Sequence, residues 1–539
     1  MLIDHDQLVA QAAVGCLRNL SCEGGEVVDQ LVKQDVLTSL TTLLEKFRGV
    51  GSQQVVDRNI KIMVEAFGLM WNLMEQSQVA MDTFNKQNIF EIIIQFLVIS
   101  YPSNLVLVSL SLLATACDNN ITAQKQMKPH YSMLTILLEC SSASFLIRVT
   151  TGVLLVNLLQ AQIYNNSAFP EIMSVVSGCL GINSTEMVLN SASSSEVEEE
   201  NGEMEVEGAS DESHGSKAGE ECKNVLKAQV LALEIIANLT CQEDGEDNIE
   251  DLSDDEDFDE ANPGFEDEAS ANPAFIEAVV NCNILEVILL RANDLSANTK
   301  ESLSSSSQGR ALIKLHKQLV VNSFLCFSNL VDTLTMEQLG GGSNLYKTWT
   351  GLGIISCQED SDDCSLVEAA TSAMRSATFK LCQDAESGNL FNLVPADLDK
   401  LVAVYDNSAP TSIRTNIVNI LGDLAGLAAK TLTNSSSVQT LSVLGAWMVD
   451  TAAKDENLRV VAEALDKLFD IFAEDDSDEI FASLKLLQKL RSILSPLKSR
   501  IGQSKRTLGE DLPLVNMART NLQRFIKYKE KRPIIARGV

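Results

Sequence analysis

The chain has 539 residues, a formal net charge of −33, 45% hydrophobic but only 5% aromatic residues, and ten prolines. That length exceeds what one compact core usually supports, and Leu-, Val-, Ala- and Ile-rich runs at helical spacing with little proline point to an all-α array that grows in one dimension. The charge disfavours direct nucleic-acid binding by the chain as a whole. The most apolar stretch, 89–117, is broken by Glu91, Gln95 and a turn at Tyr101–Asn104, which predicts two buried repeat helices and no membrane segment.

In chain order, one kind of helical run recurs, with a small residue early and Asn-Leu or a close variant at its end. It is predicted at 9–21, 65–73, 105–119, 148–159, 228–239, 319–330, 367–381, 414–424 and 459–471. The third residue of each ending falls at Asn19, Asn72, Thr115, Asn157, Asn238, Asn329, Thr378, Asp423 and Asp470, giving gaps of 53, 43, 42, 81, 91, 49, 45 and 47. The short gaps match the period of armadillo and HEAT repeats, roughly 40 to 47 residues. Partner helices are expected at 27–47, 88–99, 131–139, 398–405 and 441–452, with intervening helices at 170–180 and 275–291 in the two long gaps. The expected fold is a right-handed armadillo/HEAT-repeat superhelical solenoid, all-α, whose stacked units form a long groove.

The two long gaps hold the acidity. Residues 196–222 carry eleven carboxylates against Lys217, and 243–268 carry fifteen with no Lys or Arg, so 25 of the 33 net negative charges sit in two insertions. Runs of such like charge bury too little apolar surface to offset chain entropy and are expected to be disordered. The resulting division is armadillo-like repeats at 1–190, an acidic insertion at 191–224, a repeat helix at 225–242, an acidic loop at 243–272, and HEAT-like repeats at 273–539. The end from 481 to 539 is basic, with fourteen Lys and Arg against Glu510, Asp511 and Glu530. Its runs at 504–507 and 525–533 read either as a nuclear address or as the solvated face of the last helices.

Little in the chain supports catalysis. His5, His130, His214 and His316 are isolated, no phosphate-loop, zinc-protease or nucleophile-elbow motif occurs, and the acidic run lacks the ligand order of a calcium loop. No metal or cofactor is expected. The twelve cysteines contain no CxxC pair, and Cys16, Cys117, Cys241 and Cys326 lie in or beside apolar helical runs, as reduced thiols do. Ser253 and Ser477 precede acidic residues and read as acidophilic phosphorylation sites. Asn19, Asn72, Asn157, Asn238 and Asn329 at the repeat endings either tie the loops that follow or line the groove and bond the main chain of an extended peptide. In the second role Trp71 beside Asn72 adds an aromatic wall.

The order of armadillo-like repeats, an acidic loop with the block Ser253-Asp-Asp-Glu-Asp-Phe258, and HEAT-like repeats ending in Asn521-Leu-Gln-Arg-Phe-Ile-Lys-Tyr-Lys-Glu-Lys-Arg532 resembles the HEAT repeat-containing protein 3 / symportin family over essentially the whole chain. The resemblance implies a non-enzymatic, monomeric transport adaptor and chaperone that shuttles between cytoplasm and nucleus. It carries together the two basic large-subunit ribosomal proteins of the 5S ribonucleoprotein, one in the groove and one on the acidic loop, which stands in for ribosomal RNA. Carried over, the loop role falls on Asp254, Asp255, Glu256, Asp257 and Phe258. Family members begin with a basic segment bearing a proline-tyrosine signal read by a transportin-type importin. This chain opens at Met1-Leu-Ile-Asp, close to its first repeat pattern and without that signal, so a first repeat lacking its opening helices is expected. The alternative is a karyopherin-like or assembly scaffold whose acidic loops only keep it soluble.

Overall fold

The computed structural model describes residues 2–4, 6–49, 57–191, 214–240, 272–357, 364–384, 386–391, 395–405, 409–432 and 435–531, and helix is the only regular secondary structure among them. The first compact unit, Met1–Leu319, runs α1 (Gln7–Ser21), α2 (Gly25–Lys33), α3 (Val36–Glu45), α4 (Asp57–Gln76), α5 (Gln78–Lys86), α6 (Ile89–Ile93), α7 (Ser103–Cys117), α8 (Ile121–Met127), α9 (Tyr131–Glu139), α10 (Phe145–Leu159), α11 (Phe169–Leu180), α12 (184–191), α13 (His214–Thr240), α14 (Pro273–Asn281), α15 (Ile284–Arg291) and α16 (Ala297–Ser304). Helix α17 (Ser307–Thr333) contains the boundary. The second unit, Val320–Val539, continues with α18 (Gly342–Ser356), α19 (Cys364–Gln383), α20 (Pro395–Val404), α21 (Thr411–Lys430), α22 (Ser435–Lys454), α23 (Leu458–Ile471), α24 (Asp478–Ser483), α25 (Leu486–Ser504) and α26 (Leu512–Lys531).

Each unit is an α-solenoid. In the first, the long helices α1, α4, α7, α10 and α13 pack one on the next, and in the second α19, α21, α23 and α26 do the same. Helices α7 and α10 are apolar nearly all round because each is covered on both sides, α7 by α4 and α10, α10 by α7 and α13. Leu110, Leu113, Leu154 and Leu155 are fully buried there, and each such side chain contributes about 1.5–3 kcal/mol. The same packing accounts for Phe145–Asn165 and Phe169–Ser191, which by length and composition alone suffice to cross a membrane, with mean hydropathy 1.4 each. Helices α10 and α11 within them pack against each other and against α13.

Polar bonds stitch the stack at the repeat spacing. Trp71 Nε1 donates to Thr115 Oγ1 at 2.9 Å, 44 residues on; Asn157 Nδ2 donates to the Ala114 carbonyl at 3.0 Å, 43 residues back. In the second unit Asn416 bonds Thr371 across 45 residues, Ser328 bonds Ser376 across 48, and Lys467 bonds Asp423 across 44. Glycine makes room for two of these contacts. A Cβ on Gly68 would lie 2.5 Å from Arg18 Nε, and one on Gly422 would lie 2.6 Å from Lys467 Cγ. Each cation therefore lies flat across the neighbouring helix and pairs with a carboxylate one position or one turn away from the glycine, Glu65 at 3.1 Å and Asp423 at 2.6 Å.

Several predicted helices are split. The expected runs 27–47, 88–99 and 275–291 are interrupted or entered at a single left-handed residue, Asp35 (φ 59°), Asn88 (φ 50°) and Asn283 (φ 50°), and Lys485 (φ 54°) does the same between α24 and α25. Each stands one residue before a helix that opens on Val-Leu, Ile-Phe, Ile-Leu or Leu-Leu, and α14 and α15 meet at 63°. Asp and Asn tolerate this conformation because their short polar side chains bond locally.

The organisation also departs from the expected division. Helix α13 starts at His214, inside the segment assigned to the first acidic insertion, and the compact units meet at Leu319/Val320 instead of at the acidic segments. The reason is packing: α13 contacts α10 and α11, while α14 and α15 return to α11, so helices on both sides of the second insertion share one core.

Candidate partner-binding surface

The block Asp254, Asp255, Glu256, Asp257 and Phe258 lies outside the described residues, and its two roots lie within them. Helix α13 ends at Thr240, where Tyr164 in the first unit donates its hydroxyl to the Leu239 carbonyl at 2.9 Å. The chain re-enters at α14, whose first turn is capped by Asn272 Oδ1 accepting from Ala274 N at 2.9 Å, with Pro273 in the first helical position. Both roots belong to helices packed on α11. The segment 243–268, with its fifteen carboxylates, thus connects two helix ends that are held in the repeat stack.

Near the start of α12, polar groups from four helices converge. Gln229 Nε2 donates to the Cys179 and Ile182 carbonyls at 2.9 Å, Arg291 Nη1 donates to Ile182 O at 2.8 Å, and His316 Nε2 lies 3.3 Å from Thr185 Oγ1. Burial holds the His316 imidazole neutral, with its pKa down to about 4. These bonds lock α13, which precedes the acidic segment, and α15, the second helix after it, to the turn after α11.

The five asparagines fall in both units. Asn19 and Asn238 are exposed, on α1 and α13; Asn72, Asn157 and Asn329 are half-buried on α4, α10 and α17. The amide of Asn72 donates to Ser21 Oγ at 2.9 Å and to Arg18 O at 3.3 Å, and that of Asn157 donates to Ala114 O. Trp71 points the other way, to Thr115. Asn72 and Asn157 therefore tie each long helix to the one before it, where the sequence pattern offered only the loop that follows or a bound peptide. Replacing Asn157 with Ala is expected to lower stability by about 1–3 kcal/mol, because Ala114 O loses its donor in a half-buried place. The check is thermal unfolding alongside partner affinity; a loss of affinity with unchanged unfolding would assign Asn157 to the groove contact instead.

At the basic end, the run 525–531 is helical within α26, with Phe525, Ile526 and Lys529 buried. Lys529 Nζ pairs with Asp478 at 2.6 Å and faces the rings of Phe481, Phe525 and Tyr528 at 5.4–5.8 Å. Residues 525–531 thus form part of a packed helix whose inward side chains are engaged by its neighbours. Ser477 is also buried, 1% exposed, and its hydroxyl donates to Glu474 O, so it is no phosphorylation site in the folded chain. The Cys117 and Cys179 thiols are pushed up to about 12 by burial, as packed small hydrophobes are. Among the described residues no His, Cys, Asp and Glu grouping has metal-site geometry.

The fold and its ladder of inter-helix bonds define an α-helical repeat protein of the solenoid class. Residues 273–533 match the family model described as SYO1-like, TPR repeats. HEAT repeat-containing protein 3 of mouse is 29% identical over 609 aligned residues, and that of human 27% over 604; each alignment covers 98% of this chain and 86% of the relative. A crystal structure of an engineered protein superposes with a TM-score of 0.49 at 12% identity, covering 98% of this chain and 97% of that one. The chain is thus similar over nearly its whole length to HEAT repeat-containing protein 3, and over 273–533 to SYO1-like repeats.

Proposed function

We propose that the chain is a non-enzymatic adaptor and chaperone for the basic ribosomal proteins that accompany 5S ribosomal RNA, holding one along its stacked repeats and the other on the acidic segment 243–268, and escorting both between cytoplasm and nucleus with a transportin-type importin. The observation that carries this reading is the fifteen-carboxylate segment without Lys or Arg, which connects the end of α13, held by Tyr164, to the start of α14, capped by Asn272. A ribosomal protein that binds RNA presents a basic surface that aggregates when uncovered, and such a segment neutralises it while raising the encounter rate. The similarity of residues 273–533 to SYO1-like repeats supports the same reading, and the stack offers its partner an extended surface. The test is affinity capture on the full chain with low-salt and high-salt washes. The expected result is enrichment of 5S-associated large-subunit proteins that is lost at high salt; their absence from the low-salt fraction would remove the proposal.

A further inference from the structure

The sum of charges argued against nucleic acid for the chain as a whole, but the ion pairs of the last two helices change the balance locally. Within α25 and α26, Arg491 is held by Glu530 at 2.6 Å, Lys529 by Asp478 at 2.6 Å, and Arg500 donates to the carbonyls of Asp455 and Glu456 at 2.8 Å. Arg524, Lys527 and Lys531 have no carboxylate within ion-pair distance among the described residues, and all three are exposed. With Tyr528 they fall at i, i+3, i+4 and i+7, so they share one face of α26 over two turns, about 10 Å. Tyr528 as a residue is 37% exposed, its hydroxyl donates to Ala473 O at 3.2 Å, its ring lies 6.3 Å from that of Phe525, and Lys529 lies 5.5 Å from its centre. Tyr528 is therefore held in place and part exposed on the helix face that carries the three cations. Glu530, the one acid in this stretch, is turned to Arg491.

A terminal repeat needs a polar outer face merely to stay soluble. A mixed-charge face meets that need; a row of cations around a pinned aromatic ring does more. We propose that this face of α26 binds single-stranded RNA, with Arg524, Lys527 and Lys531 taking successive phosphates and the Tyr528 ring stacking on a base. An acidic polypeptide would use the cations and leave the ring idle, whereas backbone neutralisation combined with base stacking uses both. The chain's net charge of −33 weakens attraction at a distance, but screening limits each charge to about 8 Å at physiological salt, so side chains on and beside α26 set the contact.

The experiment measures binding of a short labelled oligouridylate to the full chain by anisotropy across a salt series, with an oligoglutamate of equal charge as competitor. The triple variant R524S/K527S/K531S is expected to bind at least about tenfold more weakly and to lower the salt slope by about two. Tyr528→Leu is expected to lose about tenfold with an unchanged slope, and Tyr528→Phe to keep the affinity. Thermal unfolding checks that the exposed triple variant remains folded. Oligouridylate binding equal in wild type and triple variant, or oligoglutamate competing on equal terms, overturns the proposal. Neither result touches the adaptor reading, which rests on the acidic segment.

Discussion

Replacing Asp455 with Ala is expected to lower the unfolding free energy of the second unit by about 3–5 kcal/mol, the cost of breaking a buried ion pair from one side. The Asp455 side chain is 0% exposed and that of Arg414 9%, with Arg414 Nη1 donating to Asp455 Oδ2 at 2.6 Å. The same carboxylate accepts from the Tyr405 hydroxyl and, through Oδ1, from Asn457 N at 2.7 Å. Burial first, and then the adjacent carboxylate, hold the Tyr405 phenol well above its ordinary pKa, so Tyr405 stays a donor at any working pH. Removing Asp455 strands a guanidinium and a hydroxyl at the junction of α22 and α23 and loosens the turn that Asn457 caps. Calorimetry or denaturant unfolding of the full chain checks this, and the double replacement Arg414→Leu with Asp455→Leu is expected to recover much of the loss, since no charge is then left unpaired. A cost below about 1 kcal/mol for the single change would mean that water reaches the pair.

The second large effect falls on binding. Changing Asp254, Asp255, Glu256 and Asp257 to Ser together with Phe258 to Ala is expected to weaken binding of a basic ribosomal partner by about ten- to a hundredfold, or about 1.4–2.7 kcal/mol. The wild-type affinity should fall steeply with salt, and the variant should show a shallower dependence, because fewer carboxylates contribute to a screened attraction. Thermal unfolding should match wild type, since the packed helices on either side, α13 and α14, keep their own anchors at Leu239 and Asn272. Affinity titrations at two ionic strengths, with unfolding measured on the same samples, decide it. Unchanged affinity would leave the acidic segment a solubilising feature and return the binding role to the repeats.

How far the architecture could be read beforehand differs from place to place. The repeat endings and their short gaps located α10 and α23 within a few residues, and the partner and intervening helices α9, Tyr131–Glu139, and α11 also fall where expected. Helices α5, α8, α12, α16, α18 and α24 correspond to no expected run, because the recurring pattern belongs to the long helix of each unit and they lack it. The breaks at Asp35, Asn88, Asn283 and Lys485 do have a local signal, an Asp, Asn or Lys one residue before a pair of large apolar residues. That signal is short and becomes visible only once four copies are aligned by their structure. Ser477 shows the opposite failure: its acidic context is a sequence property, but its burial is set by packing around α24.

Composition and periodicity alone determined the all-α repeat class and the confinement of 25 of 33 net charges to two insertions, since both follow from residue types at known spacing. Partnership was decided by the tertiary structure. Whether Asn72 and Asn157 face a ligand or the preceding helix, whether Lys529 is free or caged while Lys527 is left open, and whether His214 opens a helix or belongs to a loop all depend on which groups stand opposite. Those groups lie some 43 to 55 residues away along the chain, and a short-range pattern carries no record of a neighbour supplied by the next repeat.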